Sequence, residues 1–572
     1  MTMKRFLTYF SFSLLALVSG VPASAKEAAP LISTQKVNRL LEKRLEEAKK
    51  SLLSEGKGLF VQGEPLTSLP SLLLFYKERQ HRCAWLRDSG LSVDADDLLG
   101  AVKQADREGL RPSDYHAEVI GQIKAELTRK QMAGQKLSLS QLADLDLLLT
   151  DSFLTYGSHL LSGRINPESV HEEEWIANRR AANLPAVLES TFDQGHIRAV
   201  LKDLLPTQTA YGKLRSMLAR YRVLQQEGGW PLILSGSPLK RGAQDPRVVQ
   251  LRERLKLEGD LNQKPNDDDM FDEAVERGLI NFQRRHGLDP DGALGPSTLA
   301  ALNVPLEARI RQIKVNMERC RWLPQDLGNR YIAVNIANFS LDVMEENEPV
   351  LSMRVVVGKK VQRTPVFSSE INQIVFSPTW TVPKKIAGTE LLPKVQNDIN
   401  YLAQENFTVY DSYEDDARVV DPTQINWSHM TAETLPFRFR QRSGPLNALG
   451  RVKFLFPNTF DVYLHDTPAR ELFHQTVRTF SHGCIRVEKP IELAAYLLHN
   501  NKSWTDEAIR SATKRTEEQY VDVFDHMPIH ILYWTAWVSE RGKMEFRDDI
   551  YGRDETLAKA LESQTLTHEL DK

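Results

Sequence analysis

Cysteine is scarce in this sequence. Three residues, Cys83, Cys320 and Cys484, occur among 572. A disulfide framework in a secreted protein needs more cysteines than this, usually in even number, so hydrophobic cores must hold the fold together. We expect Cys83 and Cys320, which lie beside aromatic and basic residues in helical sequence, to be buried structural thiols. Because the count is odd, at least one thiol stays free in an oxidising compartment.

The sequence also lacks an excess of basic charge and has a single long apolar run. The net charge is −3, whereas nucleic-acid binders usually carry a basic excess, so no nucleic-acid partner is predicted. The apolar run, residues 6–20, is short for a membrane span of about 20 residues. Lys4 and Arg5 precede it, and Ala-Ser-Ala at 23–25 is typical of a cleavage site. Residues 1–25 therefore predict a cleavable export signal, with an uncleaved N-terminal anchor as the alternative.

A chain of this length exceeds one hydrophobic core, which stops growing at roughly 250–300 residues. The first part has leucines at helical spacing, a short unit with tight glycine turns follows, and a region rich in β-branched residues comes last. These shifts predict a helical scaffold (26–242), a three-helix unit (243–303), a connecting helix (304–326), a mainly β domain (327–540) containing a long polar stretch (391–444), and a polar, loosely held tail (541–572).

The residues suited to chemistry lie in the β region. His465 ends an apolar strand, and Ser481-His482-Gly483-Cys484 forms a glycine-containing turn. Acyl transfer by a thiol needs a thiolate, a base and donors for the oxyanion. We expect a helix to begin soon after Cys484, near Pro490, so that its positive N-terminal potential favours the thiolate. Backbone N–H groups of Gly483 and Cys484 are the candidate oxyanion donors.

Two other interpretations of these residues remain at this stage. A lone cysteine or histidine is usually structural. His465, His482 and Cys484 are also chemically suitable zinc ligands, which would fit a zinc-dependent wall hydrolase. Such an enzyme needs a further ligand, and the sequence contains no HExxH motif or paired His/Asp spacing.

Two segments carry a family resemblance. Residues 245–303, with Asn281-Phe282-Gln283, His286-Gly287-Leu288 and Asp291-Gly292, resemble the three-helix peptidoglycan-binding domain. A histidine followed, after a gap of about fifteen residues, by Ser-His-Gly-Cys-Ile-Arg resembles the signature of the L,D-transpeptidase (YkuD-type) catalytic domain. Here the signature runs from His465 to Arg486.

The transpeptidase resemblance implies a role for each matched residue. Cys484 is implied as the nucleophile and His465 as its base, with the carbonyl of Asp466 as the third member. The other implied roles are supporting ones: His482 and Gly483 in the cysteine turn, Ser481 hydrogen-bonded within the site, Arg486 ordering the site or meeting a substrate carboxylate, and Tyr463 lining the pocket.

The whole chain resembles the large gram-negative subgroup of this family. Residues 109–116 and 317–324 are similar to its scaffold and junction motifs. The implied fold is multidomain α+β: a helical scaffold, a peptidoglycan-binding domain, and a mainly β catalytic domain with a capping subdomain at 391–444. The implied location is the periplasm. An uncleaved N-terminus would instead anchor the protein in the inner membrane.

The resemblance also implies the reaction. A thioester on Cys484 leads to 3→3 cross-links between donor and acceptor tetrapeptide stems of peptidoglycan, with no metal or other cofactor, and carbapenems acylate the same thiol. Other wall-synthesis enzymes are possible partners. The alternatives are an L,D-carboxypeptidase, an enzyme that attaches lipoproteins, and a non-catalytic peptidoglycan-binding scaffold.

Overall fold

The structure is a computed structural model that describes residues 32–171, 174–262 and 268–563. The predicted export signal lies outside the described residues. Among the described residues, no helix combines the length and the apolar character needed to cross a membrane.

Helices build the N-terminal region around one central helix. That helix, α5 (Leu139–Ser162), buries nearly all of its residues: many are leucines, and buried carboxylates such as Asp146 and Asp151 accept hydrogen bonds. The Ser138 side chain accepts a hydrogen bond from the Gln141 N–H and so caps its start. The region contains α1 (Thr34–Glu55), α2 (Leu69–Glu78), α3 (Val93–Val102), α4 (Ala117–Met132), α5 (Leu139–Ser162), α6 (Pro167–His171), α7 (Leu184–Gln194), α8 (Ile197–Asp203) and α9 (Thr209–Gln226), with the two-residue strands β1 (Phe60–Val61), β2 (Glu64–Pro65), β3 (Leu86–Arg87) and β4 (Gly90–Leu91).

The predicted three-helix unit is confirmed. It consists of α10 (Arg247–Leu257), α11 (Glu273–Arg285) and α12 (Pro296–Leu302). Asp272 caps α11 by accepting a hydrogen bond from the Val275 N–H. Its core joins the two apolar stripes of α10 and α11: Val248, Leu251, Leu255, Val275, Leu279 and Phe282. Helix α13 (Leu306–Arg321) follows within the predicted connecting segment.

The β region is built on one large sheet. Its strands and those of a smaller sheet are β5 (Arg330–Asn335), β6 (Ser340–Glu345), β7 (Glu348–Gly358), β8 (Phe367–Phe376), β9 (Trp380–Thr381), β10 (Phe407–Tyr410), β11 (Val419–Val420), β12 (Arg438–Gln441), β13 (Val452–Leu455), β14 (Leu464–His465), β15 (Thr479–Ser481), β16 (Ile485–Val487) and β17 (Gln519–Leu532). The large sheet has the order β15-β7-β16-β14-β13-β8-β17-β5-β6, and β6 also pairs with β7. Eight strands therefore close into a ring around an apolar core, and helices α17 (Pro490–Leu498) and α18 (Asp506–Ala512) pack with it.

The polar stretch predicted at 391–444 is a folded subdomain that begins earlier. Its sheet has the order β11-β10-β12-β9, so Trp380 pairs with Gln441. Helices α14 (Lys384–Ile386), α15 (Leu392–Asn397) and α16 (Tyr401–Gln404) complete it. Val382, Leu392, Trp427 and Phe439 belong to a separate buried core. We call residues 380–441 the cap.

The prediction of a loose polar tail over 541–572 is wrong for the residues that are described there. A hairpin of β18 (Ala536–Val538) and β19 (Met544–Phe546) and helix α19 (Arg553–Glu562) are packed against the body. Tyr551 and Leu557 are buried, and Arg319 forms an ion pair with Asp554 at 2.6 Å. Spaced apolar side chains hold this segment in spite of its polar composition.

Candidate active site

Two neighbouring strands bring the candidate residues to one face of the sheet. Strand β14 runs parallel to β16, with His465 opposite Arg486, and the Ile485 N–H donates to the Tyr463 carbonyl at 3.1 Å. Side chains alternate along a strand, so Tyr463 and His465 share a face with Cys484 and Arg486. The ring centroids of Tyr463 and His465 are 5.7 Å apart.

Hydrogen bonds from side chains determine the shape of the turn that carries Cys484. The Ser481 hydroxyl donates to the Cys484 carbonyl at 2.5 Å and accepts from the Gly483 N–H at 3.3 Å. Gly483 has φ +117°, a conformation that glycine adopts readily and other residues avoid. The Thr364 hydroxyl donates to the Gly483 carbonyl at 2.8 Å. Because a trans peptide directs its N–H away from its carbonyl, Thr364 sets the direction of the Cys484 N–H.

The two predicted oxyanion donors differ in this turn. The Gly483 N–H is engaged by Ser481, at the long distance given above. Within the described part of the chain, the Cys484 N–H makes no backbone hydrogen bond. The Cys484 N–H is therefore the donor available to a developing oxyanion.

Burial and nearby side chains, not a helix, set the pKa of the Cys484 thiol, and the net pKa is raised above its ordinary value. Helix α17 begins at Pro490, as predicted, but strand β16 lies between Cys484 and that helix, so the predicted effect of the helix N-terminus on the thiol is wrong. Burial raises the pKa of Cys484, whereas hydrogen bonds from the Tyr463 backbone and side chain, and the charges of Lys453 and Arg486, lower it. The helix potential expected from the sequence acts only within about one turn of a helix end.

His465 is a buried, neutral imidazole. Burial lowers its pKa to about 3, and the charge of Arg486 acts in the same direction. Its Nδ1 lies 2.6 Å from the Asp466 carbonyl oxygen. We assign the proton to Nδ1, because only a donor there can bond a carbonyl. Nε2 then carries the lone pair that a general base needs.

The Asp466 side chain fixes the carbonyl that orients His465. Its Oδ2 accepts a hydrogen bond from the Arg451 N–H at 2.8 Å, and its Oδ1 lies 3.3 Å from Arg470. Gly450, at φ +63°, leaves room for this carboxylate, since a Cβ there would lie 2.4 Å from it. The base is thus held by a carbonyl that is itself held in place.

Arg486 has donor capacity left for a ligand. Its Nε is buried and has no hydrogen-bond partner within the described residues. Burial lowers the pKa of Arg486 and the nearby Cys484 raises it. Arg486 forms no ion pair among the described residues, although the charge of Glu471 also raises its pKa, and its partly buried guanidinium is suited to receive a carboxylate from a substrate.

His482 is directed away from His465 and contacts the cap. Its Nε2 lies 2.5 Å from Glu390 Oε1, and Lys359 is 3.7 Å from the same oxygen. Burial raises the pKa of Glu390, but the hydrogen bond and charge of His482 and the charges of Lys359 and Lys394 together outweigh this, and the net pKa is lowered. In the described part of the chain, no three His, Cys, Asp or Glu side chains are grouped to hold a metal ion. The zinc ligands considered above are therefore not assembled.

Lys453 and Thr364 are site residues that the sequence interpretation did not identify. Lys453 lies opposite His465 on β13, and its Nζ is 3.8 Å from the centre of the Tyr463 ring. One signal was present: Lys453 alternates with the buried Val452 and Phe454 and so faces away from the core. Thr364 is distant in sequence and had no such signal.

Comparisons with known proteins identify domains in three parts of the chain. Family models match residues 70–218 (scaffold domain), 244–302 (peptidoglycan binding domain, a binding role described as provisional) and 329–513 (L,D-transpeptidase catalytic domain). Residues 329–513 thus form an L,D-transpeptidase catalytic domain. The chain combines it with scaffold and peptidoglycan-binding domains, which confirms the predicted multidomain α+β fold.

Individual relatives cover parts of the chain. A Haemophilus influenzae protein provisionally named an L,D-transpeptidase is 36% identical over 249 residues, which are 43% of this chain and 49% of that protein. The chain thus spans about half the length of this curated relative. Among solved structures, an L,D-transpeptidase from Xylanimonas cellulosilytica matches 52% of this chain and 99% of its own, at 14% identity and a TM-score of 0.18. One from Stackebrandtia nassauensis matches 53% and 97%, at 11% identity and a TM-score of 0.20.

Proposed function

We propose that this chain is a cysteine acyltransferase that forms 3→3 cross-links between peptidoglycan stem peptides through a thioester on Cys484. The observation that carries the proposal is the 2.6 Å contact of His465 Nδ1 with the Asp466 carbonyl. It orients a neutral imidazole on the same sheet face as a half-buried free thiol. The family match of residues 329–513 supports the same class of reaction.

The first half-reaction acylates the thiol. His465 Nε2 takes the proton of Cys484, and the sulfur attacks the carbonyl carbon of diaminopimelate, the third residue of a donor tetrapeptide stem. The oxyanion is stabilised by the Cys484 N–H, and Arg486 receives a donor carboxylate. When the intermediate collapses, the bond to D-alanine breaks, and the His465 imidazolium returns the proton to the leaving amine.

The second half-reaction transfers the acyl group. The neutral side-chain amine of a diaminopimelate on an acceptor stem attacks the thioester and gives its proton to His465. The new amide forms as the carbon–sulfur bond breaks, and the thiol recovers the proton. Energy for the new amide comes from the bond to D-alanine, so no oxidant, reductant or cofactor enters the balance.

We place this reaction in the periplasm. Residues 1–25 have the pattern of a cleavable export signal, with an uncleaved inner-membrane anchor as the alternative. The substrates are donor and acceptor stems, and other wall-synthesis enzymes are proposed partners. The N-terminal mass of protein recovered from the periplasm distinguishes a cleaved chain from an anchored one.

A defined substrate tests the cross-linking reaction. The chain without residues 1–25 is incubated with a disaccharide-tetrapeptide, beside the same chain carrying Cys484→Ala. We expect a dimer lighter than two substrates by one D-alanine, absent with Cys484→Ala. A tripeptide product without dimer would instead support the carboxypeptidase alternative, and a dimer formed by Cys484→Ala would contradict the proposal.

A further inference from the structure

A groove lies where the peptidoglycan-binding domain meets the catalytic domain. Residues 286–290 of the binding domain form one side, and residues 337–339, 473–478, 547–548, Arg354 and Ile550 form the rest. Its volume is about 330 Å³, within the range of small-molecule sites. It is separate from the turn that carries Cys484.

Buried polar contacts hold the two domains in a fixed relation at this groove. Arg285 of the binding domain pairs with Glu258 and Asp260 and donates to the Met544 carbonyl at 3.2 Å. In return, Arg547 Nη1 donates to the Arg285 carbonyl at 2.8 Å. Because these guanidinium donors bond backbone carbonyls across the junction, separating the domains would break those hydrogen bonds. The groove is therefore preformed.

The groove concentrates positive charge that the protein compensates only in part. Arg354 is paired with Glu488, and Arg547 has Glu545 at 3.5 Å. Arg478 donates only to backbone carbonyls, including Gln475 at 2.6 Å, and has no ion pair among the described residues.

Electrostatics within the groove favour an anionic ligand. Burial, together with the charge of Arg354, lowers the pKa of Arg478 to about 10. A ligand carboxylate beside Arg478 would relieve this repulsion between guanidinium groups. Two exposed carboxylates, Asp289 and Asp548, also line the groove and oppose binding.

The groove is close enough to the Cys484 thiol for one polymeric substrate to contact both. Arg478 immediately precedes β15 and lies six positions before Cys484 in the chain, a span of at most about 20 Å when extended. A stem of four residues spans at most about 14 Å. One stem at Cys484 and a neighbouring stem on the same glycan can therefore occupy both places.

We propose that this groove binds the carboxylate of a second peptidoglycan stem, distinct from the one that acylates Cys484. The inference rests on the proposed function, because it takes the substrate to be peptidoglycan. Such a site at the junction between the two domains would select glycan strands that carry more than one stem. Arg478 is the central contact, and the apolar side chains of Leu288 and Phe473 line the groove beside it.

Equilibrium binding to the full chain carrying Cys484→Ala tests this site. Two ligands are compared: a disaccharide-tetrapeptide with one stem, and a two-unit glycan with two stems. Thr476→Glu adds a negative charge to an exposed groove residue, and Asp548→Asn removes one. Thr556→Glu, on the exposed surface of α19 and outside the groove lining, is the matched control.

We expect opposite effects on the two-stem ligand only. Thr476→Glu should weaken its binding about threefold and Asp548→Asn should strengthen it about threefold, as for one exposed charge pair. Thr556→Glu should change nothing. Equal affinities in all variants, or an equal effect of Thr556→Glu, would overturn the inference while leaving the proposed function intact. No binding of either ligand to the parent would count against the proposed function itself.

Discussion

Cys83 and Cys484 lie in two regions that surround a thiol with different groups. In the scaffold, burial and the charge of Asp146 raise the pKa of Cys83, the charges of Arg87 and Arg79 lower it, and the net pKa is about 12. In the catalytic domain, burial also raises the pKa of Cys484, but Tyr463, Lys453 and Arg486 oppose it. Burial alone thus does not distinguish the two thiols. Cations act on both thiols, and the distinction comes from the Tyr463 side-chain hydrogen bond to Cys484 and from a base, His465, on the same sheet face.

Removing the base, His465, should have the largest effect on the difference in reactivity between Cys484 and Cys83. We expect His465→Gln to lower the rate of cross-linking about 10²–10⁴-fold, the usual contribution of a general base. His530→Gln is the matched control, because His530 is also buried in the sheet and hydrogen-bonded to Ser368 and the Leu327 carbonyl. Steady-state kinetics of the two variants give the comparison. Equal losses would mean that His465 acts only in packing.

Removing the nearest lysine should make Cys484 more like Cys83. Lys453→Met takes away a cation that lowers the pKa of Cys484, so that pKa should rise further. Below its pKa the thiol is mostly protonated, and alkylation by iodoacetamide should therefore speed up as pH increases. At pH 7 we expect the variant to react about three- to tenfold more slowly, with its pH profile moved to higher pH. Lys502→Met, an exposed change, should leave the profile unchanged; an identical shift there would contradict the assignment.

Changing the residue that orients the oxyanion donor should have a smaller effect. Thr364→Val removes the hydrogen bond to the Gly483 carbonyl without a large change of shape, and one such bond is worth about 1 kcal/mol. We expect kcat for cross-linking to fall about fivefold, alkylation of Cys484 to stay the same, and Thr364→Ser to restore kcat. Slower alkylation would show that Thr364 acts on the thiol instead of the N–H.

Much of the fold follows from local sequence patterns. The helices were predicted correctly from the leucines of α5 and from the apolar stripes Val248–Leu255 and Val275–Phe282. Helical spacing is a local property of the sequence. The start of the cap was not predicted correctly, because Trp380 belongs to the cap through its strand pairing with Gln441, sixty-one residues away. The tail likewise depends on distant partners, such as Arg319 with Asp554.

The site shows the same division. The motif from His465 to Arg486 identified the candidate nucleophile and base, and both lie on the face described above. The helix predicted near Pro490 is present, but its expected effect on Cys484 was wrong, because β16 lies between them and its three residues were too few to show a strand pattern. The contact of His482 with Glu390 depends on how the cap meets the turn, and that is not visible in either segment alone.

Intact-protein mass after mixing with a carbapenem tests the central claim most directly. The chain without residues 1–25 is compared with Cys484→Ala and, as the matched control, Cys83→Ala. We predict one adduct on the parent and on Cys83→Ala, and none on Cys484→Ala. An adduct on Cys484→Ala, or no adduct on any of the three, would contradict an activated nucleophile at Cys484.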